Sequence, residues 1–103
     1  MGNTTLDVLK ARISNGEARV GILGLGYVGL PLAVEFGASG LNVTGFDLSE
    51  KKVASLNRGE SYIQDVETAR LKDLVDRGRV KATNDFTQIR ECDALIICVP
   101  TPL

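Results

Sequence analysis

The sequence predicts an α/β fold, a doubly wound parallel sheet, on three observations. The 103-residue chain alternates apolar runs of strand length with stretches of helical period. Its first apolar run leads into Gly24, Gly26 and Gly29, in G-x-G-x-x-G spacing. Its last, residues 94–99, is apolar at every position, the pattern of a strand buried on both faces, as in a parallel sheet.

Taken in order, residues 4–15 are expected to be helical. Leu6, Leu9 and Ile13 recur with helical spacing, Thr4 and Asp7 resemble a capping box, and Asn15-Gly16 is a stop signal. Such a helix would cover one edge of the sheet. The first strand spans residues 18–23. The helix after the glycines runs over 27–39, with Leu30, Val34 and Phe36 or Gly37 towards the sheet. Pro31 falls near its first turn and removes at most one internal hydrogen bond; Gly40 ends it.

A second strand over 42–47 stops on Asp47. Ser49 caps a helix over 50–57, with Val53 and Leu56 inward. Residues 60–65 read as an irregular connection. A third helix follows over 66–76, with Leu71, Leu74 and Val75 apolar and Arg77-Gly78 as its stop. A short strand over 80–82 precedes a brief helix, capped by Asn84 or Asp85, that runs to Arg90. After the fourth strand, Pro100-Thr101-Pro102 breaks the pattern. Right-handed crossovers give the strand order 3-2-1-4, with the sheet running out at strand 4. Residues 1–17 form the leading helix, and 18–103 the first part of a dinucleotide-binding, Rossmann-like domain.

Composition excludes several function classes. Apolar residues make up 44% and charged residues 24%, with a net charge of −1 and acids and bases interspersed, so an electrostatic nucleic-acid binder is not expected. No apolar run reaches the length of a membrane span, and the N-terminus lacks a signal-peptide pattern, so a cytoplasmic protein with no membrane partner is expected. Cys92 and Cys98 are too few for a disulfide framework, and with no histidine they cannot complete a structural zinc site; no metal is expected.

The glycines each have a physical task in holding a dinucleotide. Gly24 lets the chain turn off the strand. Gly26, without a Cβ, lets a pyrophosphate approach the backbone. Gly29 lets the helix pack closely on the strand. Leu25, Tyr27 and Val28 complete the turn, whose amides and helix dipole face an anion. Asp47, 18 residues past Gly29, is placed to accept hydrogen bonds from an adenosine ribose and to repel a 2′-phosphate, which favours NAD over NADP. A turn or capping aspartate is the structural alternative. Lys52 can reach the same ribose or lie solvated on its helix, and Lys51 and Lys52 would soften the exclusion of NADP if both bent inward. Val99, Pro100 and Thr101 follow strand 4, where side chains reach a cofactor. A turn threonine between prolines is the alternative for Thr101. Cys98 is expected in the core. Cys92 is expected at the end of strand 4 away from the ligand, roughly 20 Å from it at ~3.3 Å per residue. Neither has a base beside it, so no catalytic residue is assigned.

These motifs carry a resemblance. Residues 24–33 (GLGYVGLPLA), Phe46-Asp47 and residues 98–103 (CVPTPL) resemble the amino-terminal end of the UDP-glucose/GDP-mannose dehydrogenase family. Residues 61–66 (SYIQDV) resemble the branch acting on UDP-N-acetylhexosamines. The resemblance implies NAD-dependent oxidation of a sugar C6 alcohol to a carboxylate in two hydride transfers. It implies that Asp47 and Lys52 contact the adenosine ribose, and Val99 and Thr101 the cofactor. The family's catalytic cysteine, lysine and asparagine lie later than Leu103. The chain is therefore expected to bind cofactor, to catalyse nothing alone, and to self-associate through strand 4; its parent is expected to be a homo-oligomer that takes its UDP-sugar through other domains. Two rivals stay open: a regulatory nucleotide-sensing module, like the ligand-gating domains of potassium transporters, and a dehydrogenase of the 6-phosphogluconate or hydroxyacid type.

Overall fold

A computed structural model describes residues 17–98. The helix expected over 4–15, and Val99, Pro100 and Thr101, lie outside the described residues. The elements in chain order are β1 (Arg19–Leu23), α1 (Gly29–Ala38), β2 (Asn42–Phe46), α2 (Glu50–Asn57), α3 (Thr68–Asp76), β3 (Val80–Thr83), a 3₁₀ segment (Phe86–Glu91) and β4 (Ala94–Ile97). The four strands form one parallel sheet in the order β3-β2-β1-β4, as expected.

Register sorts the strand residues onto two faces. Val20 pairs with Val43 and Ala94, and Val43 with Val80, so all four share one face. That face carries the core, where Leu30, Ala33 and Val34 of α1, Leu56 of α2, and Leu71 and Leu74 of α3 pack against Val20, Ile22, Val43, Val80 and Ala82. All three α-helices thus lie on the same side. Close packing there depends on missing side chains. A Cβ on Gly37 would meet Val80 at 2.6 Å, and one on Gly45 would meet Leu25 at 2.5 Å.

The opposite face is thinner. Phe86 of the 3₁₀ segment sets its ring 5.7 Å from that of Phe46, centroid to centroid. Leu95 and Cys92 approach Gly21. The continuous apolar pattern of β4 predicts burial on both sides, and here the structure differs. Ala94 and Ile96 are half-buried, but Leu95 is 44% and Ile97 70% exposed. The reason is the one-sided helical layer: among the described residues, only the 3₁₀ segment and its flanks stand on that face. Cys98, expected in the core, is half-buried at its edge, where its N–H donates to the Leu23 carbonyl at 2.7 Å and extends the ladder.

Two helices start later than their patterns predict. α1 begins at Gly29, because Tyr27 and Val28 belong to an exposed turn. α3 begins at Thr68. Val66 instead turns back to Ile63, its N–H donating to that carbonyl at 3.0 Å, and both side chains are buried in the core. The cap predicted at Ser49 is present: its hydroxyl accepts the Lys52 N–H at 3.2 Å. Asp85 caps the 3₁₀ segment by accepting from the Thr87 N–H.

Gly29 is the tightest point. A Cβ there would fall onto the Gly24 carbonyl, with Ile22 at 3.4 Å. Gly29→Ala should destabilise the fold by about 3 kcal/mol, the upper range for overpacking. Gly26→Ala meets nothing within 4 Å. It should leave stability within about 0.5 kcal/mol of the parent, since it only narrows the unfolded ensemble. Urea unfolding of both variants tests the contrast, and equal losses would contradict it.

Candidate functional site: the glycine turn and Asp47

The carboxyl edge of the sheet gathers the glycine turn, the end of β2 and the start of α2. Gly24 leaves β1 at φ 97°, a conformation that strongly favours glycine, and its N–H donates to the Phe46 carbonyl at 2.8 Å. Gly26 follows with open space where a side chain would stand. α1 then begins without a side-chain cap at Val28 and without an acid in its first turn. A helix start of this kind leaves its first amides and the positive end of its dipole for an external anion.

Asp47 ties the edge together. Its Oδ2 accepts the Leu25 N–H at 2.9 Å and its Oδ1 the Ser49 N–H at 2.8 Å. One carboxylate thus fixes both the glycine turn and the residue that caps α2. The turn role of Asp47 is real. It does not exhaust the group, because an ionised carboxylate offers about four lone-pair sites and two are engaged here. Leu25 is fully buried, its side chain against Gly45. Its N–H is held by Asp47, and its carbonyl accepts the Tyr62 hydroxyl at 2.6 Å. Leu25 therefore shapes the turn rather than offering groups to a ligand. Burial, with the Asp47 charge added, raises the Tyr62 phenol above its usual range, so the hydroxyl stays a donor.

A cleft of about 480 Å³ opens beside this network. Leu23, Gly24, Phe46, Asp47, Leu48, Lys52 and Phe86 line it. Leu48 is 82% exposed and Phe86 half-buried, so an apolar floor adjoins the carboxylate. Lys52, half-buried, stands at its rim, whereas Lys51 is exposed; both also line a second groove along α2 that reaches Tyr62. The walls therefore offer apolar surface, a carboxylate and an amine to one ligand. The structure brings together Gly24 to Gly29, Asp47 and Lys52. β4 runs towards the same edge through Cys98. Sequence reasoning missed Leu48, Phe86 and Tyr62. The one signal for Leu48 is an apolar residue in an otherwise polar loop after Asp47. Phe86 carried none, and Tyr62 was marked only by the resemblance of residues 61–66.

Comparison with known proteins agrees with this geometry. The model of the UDP-glucose/GDP-mannose dehydrogenase family, NAD binding domain, matches residues 18–103. The chain belongs to this family. A UDP-N-acetyl-D-glucosamine 6-dehydrogenase from Salmonella typhi is 44% identical over 87 residues, covering 84% of this chain and 20% of the relative. A UDP-N-acetyl-D-mannosamine dehydrogenase from Pyrococcus horikoshii is 38% identical over 86 residues, covering 82% and 21%. Among solved structures, a ternary complex of GDP-mannose dehydrogenase from Pseudomonas aeruginosa superposes with a TM-score of 0.75 at 40% identity, covering 82% of this chain and 20% of that one. The chain spans about a fifth of the length of these relatives. The matched residues are the family's NAD-binding domain. Among the described residues, no helix is long and apolar enough to cross a membrane, and no three metal-ligating side chains cluster.

The bonds of Asp47 predict a cost independent of any ligand. Asp47→Ala leaves the Leu25 N–H buried without its acceptor. It should lower stability by about 1–3 kcal/mol. Urea denaturation without nucleotide tests this, and an unchanged midpoint would mean that the turn is held by other contacts.

Proposed function

We propose that this chain binds NAD with the adenosine ribose on Asp47 and Lys52 and the diphosphate over Gly26 at the start of α1. In the intact protein, Val99, Pro100 and Thr101 would line the continuation of the site. The proposed reaction of that protein is oxidation of the C6 alcohol of a UDP-N-acetylhexosamine to the uronic acid, with two NAD consumed. The observation that carries the cofactor assignment is open space above Gly26 beside a carboxylate with unused lone pairs. The sugar assignment rests on residues 61–66 and on relatives named for UDP-N-acetyl sugars. NAD supplies a hydride acceptor for alcohol oxidation.

The described residues bind and orient but offer no general base at the reacting end. The chain has no histidine. Cys92 lies before β4, at its amino end, and burial pushes its thiol up. Lys51 and Lys52 sit on the adenosine side. Incubated with NAD and a panel of UDP-sugars, the chain alone should form no NADH above background.

Charged hydrogen bonds of the Asp47 type are worth about 1.5–3 kcal/mol. Asp47→Ala should weaken NAD roughly tenfold or more and NADP less. Calorimetry on the unmodified chain should show NAD bound more tightly than NADP, because a 2′-phosphate would meet the carboxylate. Equal affinities would overturn the ribose assignment.

We also propose a homo-oligomeric parent and self-association of the isolated chain. β4 is an edge strand with Leu95 and Ile97 exposed, a template for pairing with another copy. Light scattering should report association that Ile97→Lys reduces; a clean monomer at high concentration would contradict it.

A further inference from the structure

We propose that Tyr62 is a positioning residue for the diphosphate turn, acting through the Leu25 carbonyl. The inference rests on the NAD assignment above and extends it to a residue outside the cofactor edge.

Leu25 is held from three directions. Its side chain packs on Gly45, Asp47 takes its N–H, and Tyr62 donates to its carbonyl at 2.6 Å. The peptide that Tyr62 grips joins Leu25 to Gly26, the residue over which the diphosphate would lie. Past that peptide the turn is held by backbone bonds and not by side chains: the Gly26 carbonyl accepts the Leu30 N–H at 3.1 Å and the Val28 carbonyl the Leu32 N–H at 3.2 Å. Tyr27 is 84% exposed, Val28 has no side-chain capping bond, and Gly26 has no side chain to pack. A glycine-rich turn loses the most conformational freedom when it orders on a ligand. Holding it beforehand lowers that cost and tightens binding.

Tyr62 is itself well placed to hold something. The Ser61 N–H donates to the Thr68 hydroxyl at 3.1 Å, and the Ser61 hydroxyl bridges to the Ile63 carbonyl at 2.9 Å. Ile63 is buried in the core. The start of α3 therefore supports the loop, the loop supports the phenol, and the phenol supports the turn. Asp47 and Tyr62 hold the two peptide groups of one residue. Asp47 alone also faces the ribose, so the two contributions can be separated by ligand.

Tyr62→Phe keeps the ring and removes only the donor. Affinities for NAD, ADP and adenosine should be measured by titration on the unmodified chain and the variant. NAD and ADP should weaken about three- to tenfold, the range for one hydrogen bond. Adenosine, which lacks the diphosphate, should stay within about twofold. A purely structural role would move all three ligands together, or none, and either result overturns the proposal. Thr68→Val provides a second arm at an exposed position. It releases Ser61 and should weaken NAD and ADP in the same selective way, by less; unchanged NAD and ADP affinity there, should Tyr62→Phe fail to fold, overturns the proposal. Failure of the NAD assignment looks different: the unmodified chain would bind neither NAD nor ADP, and the proposal would fall with it.

Discussion

The closest constraint in the molecule is the approach of Gly29 to the Gly24 carbonyl. No methyl group fits between them. That approach sets α1 onto the carboxyl end of β1 and aims the uncapped helix start across the edge of the sheet. Gly24 turns the chain with a positive φ, and its N–H on the Phe46 carbonyl keeps the turn against β2. The anion-facing geometry is thus a by-product of packing. Gly26, between those two glycines, has no atom within 4 Å of where a side chain would stand.

Asp47 shows why structural and functional readings of one residue need not compete. Its carboxylate closes two backbone bonds within the protein and keeps lone pairs for a ligand. A residue with both duties carries a stability cost when replaced even before a cofactor is added. Under the proposed ribose assignment, loss of binding in an Asp47 variant has two sources, and unfolding measured without nucleotide separates them. Of the apolar residues around it, Leu48 lines the cleft, and Phe86 lines it while also packing against Phe46.

Most of the architecture was legible because its signals are local. The glycine spacing, the acid at the end of β2, the Ser49 cap and the apolar strands lie within short windows of sequence. The order 3-2-1-4 followed from handedness rules alone. What stayed hidden depends on distance. Tyr62 meets Leu25 across 37 residues, a contact that no local spacing announces. Phe86 earns its place by stacking on Phe46, which only the folded sheet brings close. The exposure of β4 also escaped the pattern. An all-apolar run states what a strand needs on each face, and the described helices meet that need on one face only. Tyr62, within the stretch 61–66 that resembles the UDP-N-acetylhexosamine branch, bonds to the glycine turn at Leu25.

The position of β4 also bears on the order in which the sheet is expected to assemble. Arg19 reaches Thr44 on β2 across 25 residues, but reaches Asp93 beside β4 across 74. Closing the longer span costs about 1 kcal/mol more in chain entropy. The β1-α1-β2 unit and β3 can gather through short crossovers and bury the core among themselves. β4 then docks onto a surface that already exists. Until it does, the outer edge of β1 is open to any strand, and the interval before docking is when a nascent chain is most exposed to mispairing.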